Sequence, residues 1–91
     1  MTRRELIARV AHQTGLSREQ AQAAVQAALA AIAEAVSAGE LVQLAGFGAF
    51  SRHERPAHQA RNPRTGERVA VAASRTVRFR PGEGFKSLLN G

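Results

Sequence analysis

Along the first forty positions apolar residues recur at spacings of three and four. Beyond them they alternate or thin out, so the chain reads as helices followed by strands. Thr2-Arg3-Arg4-Glu5 is a capping box that opens a short helix with the stripe Leu6, Ile7, Val10 and Ala11, ended by Gly15. Ser17-Arg18-Glu19-Gln20 repeats the device, with Leu16 placed to staple onto the following turn. The second helix runs to about Ala38 and stops at Gly39. Its apolar stripe is Ala21, Ala24, Val25, Ala28, Leu29, Ile32 and Val36. So many alanines favour helix but supply little area for a core.

Glu40 to Leu44 alternates as a strand, with Val42 and Leu44 on one side. Glycines on either side of Phe47 predict a tight reversal, and a second strand then passes Phe50. From Arg52 to Arg75 no aromatic residue occurs, and in the middle stands Arg61-Asn62-Pro63-Arg64-Thr65-Gly66. Asn-Pro and Thr-Gly are turn dipeptides, so the chain folds back near Pro63 as the tip of a long β-hairpin. The return strand covers Arg68 to Ala72 and Thr76 to Arg80, with an interruption at Ala73-Ser74-Arg75. Pro81-Gly82 stops it, and Glu83 to Asn90 forms a last helix with Phe85, Leu88 and Leu89 on one face. The fold class is α+β, with three parts: a helical part over 1–39, sheet and C-terminal helix over 40–51 and 76–91, and an arm over 52–75. Phe47, Phe50 and Phe79 bracket the base of the arm and are expected to cluster there.

Ninety-one residues, about two dozen of them in a solvated arm, leave too little chain for a comfortable core. Association of subunits is the expected remedy, with Leu29, Ile32, Val36, Phe47, Phe50 and Phe79 in the shared core. There is no cysteine, no membrane-length apolar run and no signal-type N-terminus, which predicts a cytoplasmic protein. Charge changes the picture most. Residues 1–51 carry four arginines against four glutamates, whereas 52–91 carry eight arginines and Lys86 against three glutamates, so the net charge of +6 lies wholly in the second half. A neutral helical half joined to a cationic arm marks a polyanion binder.

Several stretches together resemble the bacterial histone-like family of HU and integration host factor. They are Val42-Gln43-Leu44-Ala45-Gly46-Phe47-Gly48-Ala49-Phe50, Ala60-Arg61-Asn62-Pro63-Arg64-Thr65-Gly66, Phe79-Arg80-Pro81-Gly82 and the helix pair ending in Gly39. The resemblance covers nearly the whole chain. It implies an intertwined homodimer or heterodimer whose flexible arms embrace double-stranded DNA, bend and compact it, and associate it with the nucleoid. In this mode, general to minor-groove bending proteins of this kind, Pro63 is the apolar wedge that opens a base step. Arg55, Arg61, Asn62, Arg64 and Arg68 line the arm, and Arg75, Arg80 and Lys86 reach the flanking backbone; Arg52 and Arg78 rank below these. Sequence preference follows from DNA deformability more than from base reading. A site-preferring role like that of integration host factor is the alternative.

The chain departs from the family at several positions. His53, His58 and Gln59 stand where basic residues are common, Glu83 where Lys is common, Ala60 where Gly is usual and Ala72 where Pro is common. The two histidines make the arm's charge depend on pH, because nearby phosphate favours imidazolium. An RNA or single-strand binder would want stacking aromatics, and the arm has none. An enzyme is not expected: the chain lacks Asp, Cys, Tyr and Trp, and no serine has a recognisable base. No cofactor is expected, nor a metal, since two histidines without carboxylate or thiolate company make a poor site.

Overall fold

The computed structural model describes residues 1–91, in two compact units, Met1–Glu34 and Ala35–Gly91. In the first, helix α1 (Arg3–Thr14) starts where the Thr2 hydroxyl accepts the Glu5 N–H at 3.3 Å and ends at Gly15. Helix α2 (Arg18–Ser37) starts with a capping box closed in both directions. The Ser17 N–H donates to Gln20 Oε1 at 3.0 Å, and the Gln20 N–H donates to Ser17 Oγ at 3.1 Å. Ile7, Ala21 and Val25 form the core of this unit, with Leu6, Val10 and Ala11 packed against it. Further along the predicted α2 stripe, Ala24, Ala28 and Leu29 are exposed, because a single chain has nothing to cover them.

In the second unit α2 ends as a Schellman cap. The Gly39 N–H bonds to the Val36 carbonyl and the Glu40 N–H to that of Ala35. Because the cap consumes these two amides, strand β1 begins at Val42 and not at Glu40; it runs to Leu44. Strand β2 covers Gly48–Arg55, β3 His58–Arg61, β4 Arg68–Val71 and β5 Ser74–Pro81, and helix α3 covers Glu83–Asn90. A three-stranded antiparallel sheet has the order β1-β2-β5, and β3-β4 forms a separate two-stranded ribbon.

The break between sheet and ribbon corrects the expected arm. Body pairing continues out to Glu54 opposite Arg75 and Arg55 opposite Ser74, so residues 52–55 and 74–75 belong to the body sheet. The return strand is interrupted at Ala72-Ala73 and resumes at Ser74 instead of Thr76, and the outgoing strand is interrupted at Pro56-Ala57. Pro56 has no N–H to give to a ladder, which disfavours continued pairing of the outgoing strand at this point. Two residues drop out of each strand, so the register stays in phase: Arg55 faces Ser74, and His58 faces Val71.

Phe47, Phe50 and Phe79 cluster within the single chain, with centroids 4.8 Å apart for Phe50 and Phe79 and 5.5 Å for Phe47 and Phe79. Phe85 of α3 joins them, 5.3 Å from Phe47. Gly48 makes room for this cluster, since a Cβ there would lie 2.6 Å from the Phe79 ring and from the Arg80 carbonyl. Yet Phe47 and Phe79 remain 44% and 37% exposed, and Leu88 of α3 is 88% exposed.

Candidate nucleic-acid interface

Successive side chains of a strand point to opposite faces, and directly paired residues share one, so register alone sorts the body arginines. One face of the β2-β5 pair carries Gly48, Phe50, Arg52 and Glu54 beside Arg75, Val77, Phe79 and Pro81. The other carries Ala49, Ser51, His53 and Arg55 beside Ser74, Thr76, Arg78 and Arg80.

Arginines on the aromatic face are tied down. Arg52 donates from Nη1 to the Ser37 carbonyl at 3.1 Å, and its Nη2 lies 3.2 Å from Glu54 Oε1. Arg75 Nε lies 3.7 Å from the same carboxylate oxygen. Arg55, Arg78 and Arg80, on the opposite face, have no carboxylate within ion-pair distance. Arg78 Nη2 instead meets His53 Nε2 at 3.4 Å.

The ribbon is sorted in the same way. Gln59, Arg61, Arg68 and Ala70 occupy one face, and His58, Ala60, Val69 and Val71 the other. Arg61 and Arg68 stand directly opposite each other with no carboxylate partner, a like-charge pair that an anion would relieve. At the tip the backbone satisfies itself. The Asn62 N–H donates to the Glu67 carbonyl and the Gly66 N–H to that of Asn62, each at 2.7 Å. Asn62 Oδ1 accepts the Arg64 N–H at 2.9 Å, and Thr65 Oγ1 accepts the Glu67 N–H at 3.2 Å. Asn62 therefore builds the turn, and Pro63 and Arg64 are left exposed on it.

The structure thus sets His53, Arg55 and Arg80 along one face of the β2-β5 pair, with Arg55 and Arg80 at its opposite ends, and adds Arg78, which sequence reasoning ranked low. It sets Arg75 on the opposite face, and His58 on the ribbon face away from Arg61 and Arg68, with Nδ1 3.3 Å from the Pro56 carbonyl. Lys86 lies on α3, 3.9 Å from Glu83. Strand parity within Thr76 to Arg80 already puts Arg78 on the face of Arg80 and would have found it. Sequence reasoning also missed a cluster in the helical unit, where Arg3, Arg4 and Arg18 line an open cleft with Gln22 and Gln26. Counting charge by halves concealed it.

The profile of the bacterial DNA-binding protein family matches residues 1–90. DNA-binding protein HU of Caulobacter vibrioides is 45% identical over 89 residues, covering 98% of this chain and 97% of the relative. DNA-binding protein HU 2 of Streptomyces coelicolor is 47% identical over 91 residues, but the chain spans 41% of that relative's length. Among solved structures, a cocrystal structure of Anabaena HU with DNA superposes with a TM-score of 0.88 at 40% identity, covering 98% of this chain and 97% of that one. On these matches the chain belongs to the bacterial DNA-binding protein family that includes HU.

Proposed function

We propose that the protein is an architectural, non-enzymatic DNA-binding protein. It works as a homodimer that binds and bends double-stranded DNA through the minor groove with low sequence specificity. The observation that carries this reading is the sorting of arginines. Arg55, Arg78 and Arg80 share one sheet face with no carboxylate among them, and the in-phase register continues their parity to Arg61 and Arg68 on the ribbon. A face of this kind neutralises phosphates without reading bases, so affinity depends on salt and preference depends on how easily the duplex deforms. Pro63, exposed on a turn in which the N–H groups of Asn62, Arg64, Gly66 and Glu67 are already bonded, is the wedge.

The dimer follows from what one chain leaves bare. Its buried hydrophobic residues are Ile7, Ala21, Val25 and Val36, while Leu29, Leu44, Phe47, Phe79, Leu88 and Leu89 are exposed. A second copy of the chain is the natural cover for α2, α3 and the aromatic cluster. No helix is long and apolar enough to cross a membrane. Association with the nucleoid follows from DNA binding.

A gel-shift series on linear, nicked and kinked duplexes, with matched RNA as competitor and mass determination of the free protein, tests the reading. Tightest binding to kinked or nicked DNA by a dimeric protein is expected. Preference for RNA, or a monomeric mass, would contradict it.

A further inference from the structure

We infer that Glu54 is a positioning residue that fixes the root of the arm. It sits in the last but one pair of the body sheet, opposite Arg75, immediately before pairing stops at Arg55–Ser74 and Pro56 interrupts the outgoing strand. Its single Oε1 faces guanidinium groups on both strands, Arg52 of β2 at 3.2 Å and Arg75 of β5 at 3.7 Å. Arg52 in turn donates to the carbonyl of Ser37 at the C-terminus of α2, the end of a helix that favours a cation. A continuous polar chain therefore runs from the end of α2 through Arg52 and Glu54 to Arg75.

Just beyond that chain the strands part. Glu54, Arg55, Pro56, Ala73, Ser74 and Arg75 line an open cleft of about 550 Å³ at the point of separation. With the near side tied, bending of the arm is confined to Pro56-Ala57 and Ala72-Ala73, and the ribbon pivots from a fixed base. An isolated exposed ion pair would hold little. Here one carboxylate joins two strands, and the arginine that anchors it, with a side chain 28% exposed, is the least solvated member. Without Glu54, Arg52 and Arg75 become diagonal like charges on one face and push the root apart.

This inference rests on the proposed function for its DNA readout, but one arm of its test needs no DNA. The variants are Glu54→Gln, Arg75→Gln and Arg75→Lys. Amide hydrogen exchange of the free protein reports the root directly. In both Gln variants exchange at Arg52–Arg55 and Ser74–Val77 is expected to quicken about two- to tenfold, and the Lys variant restores protection. Bend angle is then followed by fluorescence energy transfer across a labelled duplex. Both Gln variants are expected to widen the distribution of bend angles. If Glu54 merely repels DNA, the two Gln substitutions will move affinity in opposite directions and leave exchange and bend distribution unchanged, which overturns the inference. Failure of the wild-type protein to bend DNA would instead remove the proposed function, while exchange would still decide whether the tie exists.

Discussion

The two faces of the β2-β5 pair differ by one residue of phase and by almost everything else. On one, four phenylalanine rings gather and each arginine has a carboxylate: Arg52 and Arg75 share Glu54. On the other, Arg55, Arg78 and Arg80 have none, and the neighbouring polar groups are His53, Ser51, Ser74 and Thr76. Identical side chains thus stand in opposite surroundings according to strand parity. Net charge cannot reveal this. A guanidinium already paired with a carboxylate gains little from phosphate, whereas an unpaired one releases counterions when it binds.

The comparison breaks most visibly in stability. Phe79→Ala removes the ring that contacts Phe47, Phe50 and Phe85 and is expected to cost about 3 kcal/mol or more. Arg78→Ala, one residue away, is expected to change stability by no more than about 0.5 kcal/mol. Thermal melts of both variants check this, and the wild-type Tm should rise with protein concentration if the aromatic face is completed by a second chain. Equal effects of the two substitutions would mean that the faces are not distinct.

Next in size is the effect of the wedge proposed at Pro63. Pro63→Ala leaves every arginine in place and is expected to reduce the bend angle more than the affinity, as read by energy transfer on a labelled duplex. An unchanged bend angle would remove Pro63 from that role.

The smallest effect separates the histidines. His53 shares the face of Arg55, Arg78 and Arg80, whereas His58 shares its face with Ala60, Val69 and Val71. If DNA lies on the face of His53, phosphate beside the imidazole favours its protonated form, and binding is expected to tighten as pH falls from about 8 to about 6. His53→Gln is expected to flatten that dependence and His58→Gln to leave it unchanged. Titrations at two pH values and several salt concentrations check both.

Much of the fold is legible in the chain because local chemistry dictates it. Thr2, Ser17, Gly15 and Gly39 mark the helix ends, and Asn62 to Gly66 mark the hairpin tip, each through a hydrogen bond or backbone preference internal to a few residues. What escapes depends on register. Whether Ser74 and Arg75 pair with Arg55 and Glu54 sets the length of the body sheet, and that pairing is settled by β2, some twenty residues away. Once it is known, Arg75 joins the face of Arg52 and Glu54, whereas Arg78 shares the face of Arg80 by strand parity alone. Pro56 is a visible signal for the break in the outgoing strand, but a proline also fits an edge strand, so it does not by itself place the break. Phe85 shares a helical stripe with Leu88 and Leu89, although only its ring reaches the aromatic cluster and the two leucines remain exposed.

The central claim is that DNA meets the face of Arg55, Arg78 and Arg80, and the salt dependence of duplex affinity for Arg78→Ala against Arg75→Ala tests it most directly. Arg78→Ala is expected to lower the slope of log affinity against log salt by about one for each phosphate that the guanidinium neutralises, while Arg75→Ala leaves the slope at the wild-type value. The reverse result, a reduced slope for Arg75→Ala and an unchanged one for Arg78→Ala, would place DNA on the aromatic face and contradict the claim.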